Sequence, residues 1–180
     1  MYSKILYPSG YKKSLKSNEY FDLYPSLFIR KICGKTPLYK KACQNEIIIA
    51  KKLIKYKFKN IVNIYKITDE YIDYELLDTN KKIIDVKSFF NDIKNGLDEL
   101  NNLGIIYIDL KLDNIGFSDR DKCWKIFDFD CSGIINPDKK TWKIKPIRSY
   151  ILDKLKKNEV NIKNYNKVIY NNFIKNIDSN

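Results

Sequence analysis

Apolar residues recur along this chain with two different periods, and the switches between them predict its elements. Leu27–Cys33 alternates, with Ile29 and Lys31 on one face, and reads as a strand. Over Tyr39–Tyr56 the residues Ala42, Glu46, Ile49/Ala50 and Leu53 fall at i, i+4, i+7 and i+11, the stripe of a helix. Asn60–Tyr65 and Tyr71–Leu77 return to strand character. Val86–Leu103 places Phe89, Phe90, Ile93, Leu97, Leu100 and Leu103 at helical spacing, with Gly104 suited to end the helix. Ile115–Ser118 and Cys123–Phe127 are short strand candidates joined by the polar Asp119-Arg120-Asp121-Lys122, a common hairpin length. Asn136–Lys140 reads as a turn, and Ser149–Lys157 and Lys163–Ile177 as helices. Residues 1–27 give only poorly defined strands and turns. The expected class is α+β.

The hairpin gathers polar groups. Pairing its strands sets the start of the first beside the end of the second, so Asn114 and Asp128 can converge on one oxygen-seeking ion such as Mg²⁺. Asp109 lies five residues upstream of Asn114, in a loop that curls toward the same end. Lys111 adds positive charge where a transferred phosphoryl group builds up negative charge. Each residue alone could be a turn cap; the set suits phosphoryl transfer.

These residues carry a resemblance. Tyr107-Ile108-Asp109-Leu110-Lys111-Leu112-Asp113-Asn114 resembles the catalytic loop of the protein-kinase-like superfamily, H-R-D-L-K-x-x-N, and Asp128-Phe129-Asp130 resembles its D-F-G motif. The resemblance implies that Asp109 deprotonates the acceptor hydroxyl, Lys111 steadies the γ-phosphate, and Asn114 and Asp128 hold the metal. It further implies that Lys31 meets the α/β-phosphates, Ile29 lies near the adenine, and Glu75 to Leu77 form the hinge that contacts it. A carboxylate in an apolar stripe is costly unless paired, so Glu46 is the natural partner of Lys31. The resemblance spans roughly Phe28 to Ser132.

The departures are local. Tyr107 stands at the histidine of the loop motif, and Ile108 at the arginine through which activation-loop phosphorylation acts, so that control should be lacking. Asp130 replaces a glycine, which puts the geometry of the metal loop in question. No G-x-G-x-x-G is present, leaving Ser9-Gly10 as the only phosphate-facing turn candidate before Phe28, and no A-P-E follows Asp128.

Composition narrows the rest. At 180 residues and 44% hydrophobic, one compact unit is expected; the resemblance implies a single kinase-like domain, with residues 1–78 as a β-rich N-lobe and 79–180 as a reduced helical C-lobe. No apolar run of about 18 residues predicts a membrane span. The four cysteines form no C-x-x-C pair and read as reduced residues of a cytoplasmic protein, in a host cytoplasm if viral. The absence of histidine removes Ser-His-Asp and Cys-His schemes. The excess of Lys, Asn, Ile and Tyr is what AT-rich codons supply, which discounts the net charge of +12. That charge is still uneven: residues 1–60 carry 14 basic and 3 acidic groups, residues 61–130 carry 9 and 15, and residues 131–180 carry 11 and 4. The basic flanks could attract nucleic acid.

The expected function is ATP- and Mg²⁺-dependent phosphoryl transfer to a Ser/Thr or similar hydroxyl on a protein or small molecule. A protein partner could complete the short C-lobe. The alternative is a pseudokinase, a partner-binding module with or without nucleotide.

Overall fold

The computed structural model describes residues 4–6, 28–33, 37–136, 141–146 and 165–178. They form a mixed α+β structure of small antiparallel sheets and three helices. Strand β1 (Lys4–Leu6) pairs with β2 (Phe28–Ile32), which pairs with β4 (Tyr71–Glu75), which pairs with β3 (Ile64–Ile67). Helix α1 (Pro37–Leu53) connects β2 to this sheet's far edge. The register of β2 on β4 sets Arg30 opposite Asp73, and the pair is bidentate at 2.7 and 2.8 Å, with the guanidinium 3.9 Å from the Tyr71 ring centroid.

Helix α2 (Val86–Asn102) starts where Asp85 accepts a hydrogen bond from the Ser88 amide at 2.9 Å, an N-cap. It ends at Gly104, whose φ of +69° is the left-handed conformation a C′ glycine supplies. Gly96 sits mid-helix because a Cβ there would lie 2.7 Å from the Asn60 carbonyl oxygen. Asn60 in turn bonds the end of the hairpin, donating its side-chain amide to the Trp124 carbonyl and accepting from the Ile126 amide, each at 3.0 Å.

The predicted hairpin is present as β6 (Ile115–Ser118) and β7 (Cys123–Ile126), in the register Ile115↔Ile126 through Ser118↔Cys123. A second small sheet, β5 (Ile105–Ile106), β8 (Gly133–Ile135) and β9 (Trp142–Ile144), was not expected: strands of two or three residues carry too few positions to show a period. Helix α3 (Tyr165–Asp178) answers to the predicted Lys163–Ile177. The predicted helix Ser149–Lys157 and the Ser9-Gly10 turn lie outside the described residues.

One core joins these pieces. Phe89 of α2 meets Trp124 of β7 edge to face at 5.1 Å and Phe173 of α3 at 6.2 Å, and Ile49, Leu53, Ile72 and Phe129 continue the cluster. All members of the α1 stripe are buried. The helix runs from Pro37 to Leu53 rather than Tyr39 to Tyr56: proline is favoured in a first turn, and Leu53 is the last residue of the stripe. No described helix is long and apolar enough to cross a membrane.

The cysteines require a correction. Cys33 and Cys43, expected to be reduced, are joined as a disulfide across ten residues, with Cα atoms 5.4 Å apart. Cys33 ends β2 and Cys43 lies inside α1, so the sequence gap between them conceals that strand and helix pack together. Cys123 and Cys131 are buried and lie outside the disulfide, and burial pushes the Cys123 thiol up to about 11. Closing a loop this short should add about 2–3 kcal/mol. Chemical denaturation with and without reductant checks this: wild type should lose that amount on reduction, and Cys33→Ser should lose it in both conditions.

Candidate active site

The strand–helix packing of β2 on α1 brings Lys31 and Glu46 together. The Lys31 ammonium lies 2.6 Å from Glu46 Oε2 and 2.5 Å from Asp128 Oδ1, the latter 97 residues away in sequence, and 3.7 Å from Asp130 Oδ2. Both Lys31 and Glu46 are buried. Burial opposes the ammonium, but Glu46, Asp128 and Asp130 outweigh it and hold its pKa above the ordinary lysine range. Three carboxylates share this one cation. Burial therefore raises the Glu46 carboxyl, against the pull of Lys31 and with help from Asp128. Glu46 Oε1 accepts from the Tyr74 hydroxyl at 2.9 Å and from the Phe129 amide at 3.3 Å, which ties helix, sheet and the turn after β7 into one unit.

That turn is held from the helix side as well. Asn45 donates its side-chain amide to the carbonyls of Asp130 and Ser132, at 3.0 and 2.6 Å. Asp128 adopts a φ of +66°, a left-handed conformation costing about 1 kcal/mol for a residue with a Cβ. Asp130, at the motif's glycine position, has no positive φ. The strain expected there falls instead on Asp128, which Lys31 holds.

The loop between β5 and β6 carries the second group. Asp109 Oδ2 lies 3.0 Å from Lys111 Nζ. The Asn114 side-chain amide donates to the Asp109 carbonyl at 2.8 Å and to Oδ2 at 3.1 Å. A 3₁₀ turn, Leu112–Asn114, presents that amide. The two groups meet through Phe127: its amide bonds the Asn114 carbonyl at 3.1 Å, and its carbonyl accepts the Tyr107 hydroxyl at 2.6 Å. Tyr107 also packs edge-on against Phe129. Asn114 is thus turned toward Asp109 and Asp128 toward Lys31. Among the described residues no group of three or more His, Cys, Asp or Glu side chains is placed to hold a metal.

Beside the Lys31 cluster is a cavity of about 170 Å³. Ile29, Val62, Leu77 and Phe127 form its apolar walls, Glu75 and Leu76 one edge, and Lys31 and Asp128 its polar end. It is smaller than the ~300 Å³ at the low end of drug-sized sites. Gly116 lets Leu77 approach the hairpin, since a Cβ would lie 2.6 Å from the Leu77 Cβ, and Asp78 and Phe117 exchange two backbone bonds of 2.9 Å.

The Glu75 side chain turns away from the cavity. It accepts from Asn63 Nδ2 at 2.5 Å, from the Ser118 hydroxyl, and from Lys125 Nζ at 2.8 Å. Lys125 is fully buried and also bonds Asp121, which pairs with Arg120. Burial resists the Glu75 charge, but Lys125, Ser118 and Asn63 together pull its pKa down. Lys125 was not legible as a site residue, because a lysine between Trp124 and Ile126 reads as a solvent-facing strand position. Asn45 and Tyr74 carried no signal beyond flanking Glu46 on its helix and alternating along β4.

Ile108 is buried against Cys131, Ile135, Tyr165 and Ile169. One side chain of α3 fixes this end of the loop: Asn166 donates to the carbonyls of Leu97 and Ile105, at 3.3 and 3.1 Å, and accepts from the Tyr107 amide at 3.1 Å.

No model of a known protein family and no curated protein matches the chain.

Two outcomes follow from the charges. Lys125→Met leaves buried Glu75 with only the more distant Arg120, at 3.9 Å, as a cation, and should cost about 3 kcal/mol in urea unfolding at pH 7. A raised Glu46 pKa means that the folded state keeps this proton to higher pH than the unfolded chain does. Glu46 thus favours folding below the ordinary glutamate pKa, and that contribution is lost as pH rises through the raised value. Glu46→Gln should flatten this fall, because Lys31 keeps Asp128 and Asp130 as partners. Unfolding curves from pH 4 to 8 check it: the variant should be at least as stable as wild type at pH 8.

Proposed function

We propose that this chain is a minimal kinase-like protein that transfers a phosphoryl group from ATP to a hydroxyl acceptor. The observation that carries the reading is the joining of Lys31, Glu46 and Asp128 from a strand, a helix and a turn. They meet beside an apolar cavity edged by Glu75, Leu76 and Leu77. The adenine would enter between Ile29 and Leu77, against the backbone of Glu75 to Leu77. Lys31 would then meet the α/β-phosphates, held in place by Glu46.

Mg²⁺ fits the donor set. Asp128, Asp130 and the Asn114 oxygen are hard ligands, and the carboxylates already crowd around a cation. Bound there, the ion would neutralise charge on the phosphates. Asp109 would orient the acceptor hydroxyl and take its proton, while Asn114 and Lys111 hold that carboxylate in place. Lys111, 45% exposed, can turn from Asp109 to the transferred phosphoryl group. The burial of Ile108 leaves no cation at that position to sense a phosphorylated loop.

One observation favours a non-catalytic binding module: Lys31 sits directly on Asp128, so nucleotide must displace that contact before a metal can use the carboxylate. Two measurements separate the readings. ATP with Mg²⁺ should raise the melting temperature of wild type and of Asp109→Asn, and should fail to do so in Lys31→Met. Phosphate transfer or ATP hydrolysis should fall by about 10²- to 10⁴-fold in Asp109→Asn. Stabilisation without turnover in wild type would leave only the binding module.

A further inference from the structure

A second cavity, of about 660 Å³, lies away from the Lys31 cluster. It falls within the ~300–1,000 Å³ of ligand sites. It opens between the end of α1, the start of β3 and the hairpin loop, and Tyr56, Phe58, Tyr65, Lys57, Lys59 and Arg120 are among its lining residues. Leu53, Ile54 and Tyr56–Lys59 form one wall, and the segment they belong to, Lys51–Lys59, holds five lysines and no acidic residue. Lys55, Lys57 and Lys59 are exposed. Lys52 feels a further cation: burial, with Lys143 of β9 beside it, lowers its pKa. The one acidic side chain in the lining, Asp121, is already paired with Arg120 and Lys125.

The aromatic rings complete the pattern. Tyr56 stacks on Phe58 at 5.5 Å and 29°, yet is 51% exposed. A half-exposed ring stacked on one side, between lysines at alternate positions, offers a stacking face to one partner and ammonium groups to its backbone. Single-stranded nucleic acid presents both features, unpaired bases and a phosphate chain. A duplex keeps its ring faces inside, and an acidic peptide brings charge without rings.

We propose that the Lys51–Lys59 segment and the cavity beside it bind single-stranded nucleic acid, with a base against Tyr56 and phosphates along Lys55, Lys57 and Lys59. The site is independent of the cleft at Lys31. Binding is weakly sequence-dependent, because stacking tolerates any base.

The test is fluorescence anisotropy of the full chain with a fluorescein-labelled 12-nucleotide oligo(U), at salt concentrations from 50 to 200 mM. Replacing Lys55, Lys57 and Lys59 together by Gln should reduce the steepness of log affinity against log salt by about 2, since each phosphate contact to a single strand contributes about 0.7. Tyr56→Ala should weaken binding about tenfold at every salt concentration with the slope unchanged. Asp128→Asn should bind like wild type. Melting temperatures equal to wild type establish that the surface variants fold. The proposal is overturned if the triple variant or Tyr56→Ala binds like wild type, or if a 12-base-pair duplex or polyglutamate binds as tightly as oligo(U).

Discussion

The Lys31 ammonium is the point on which the rest of this structure turns. It is buried, and a buried cation must be paired. Its partners come from three places: Glu46 on α1, and Asp128 and Asp130 in the turn after β7. The charge requirement thus decides how the helix sits on the four-stranded sheet and how the hairpin end faces both. Tyr74 and Asn45 extend the same constraint, one from the sheet to Glu46 and one from the helix to the turn. The cluster carries more negative than positive charge. Lys31 therefore offsets only part of the charge gathered around it.

A second buried lysine does related work behind the cleft. Glu75, Lys125, Asp121 and Arg120 form a chain of alternating charge from β4 to the surface. Glu75 belongs both to this chain and, through its backbone, to the cavity edge. The edge is therefore braced by ionic bonds below and by the Asp78–Phe117 backbone pair beside it.

Much of this was legible in the sequence, for identifiable reasons. The α1 and α2 stripes are long enough for the helical period to stand out, and Glu46 declared itself as the one carboxylate in an apolar stripe. The hairpin was marked by two apolar runs and four polar residues between them. Its ends then located Asn114 and Asp128 on opposite sides of one register. What stayed hidden depends on contacts between distant segments. Lys125 looks like any strand lysine until Glu75 is brought beneath it. Cys33 and Cys43 look unpaired until β2 and α1 pack. The three-stranded sheet at Ile105 is built of strands too short to show a pattern. The hydrogen bonds from the Asn114 amide to Asp109 were not legible, since side-chain direction within a 3₁₀ turn is not encoded in spacing.

Asn166 has a consequence for how the molecule comes into being. Its single carboxamide joins α2, β5 and the loop that carries Asp109, and it lies 59 residues downstream of Tyr107. Every other part of the cluster around Lys31 is synthesised before residue 131. The growing chain can therefore close its sheet, helix and hairpin early, while the amide of Tyr107 and the carbonyls of Leu97 and Ile105 still lack this partner. The Asp109 loop gains this further support only when α3 has been made and has docked. Asn114 and Phe127 hold the loop from within the earlier part of the chain, and Asn166 adds the tie that joins it to α3.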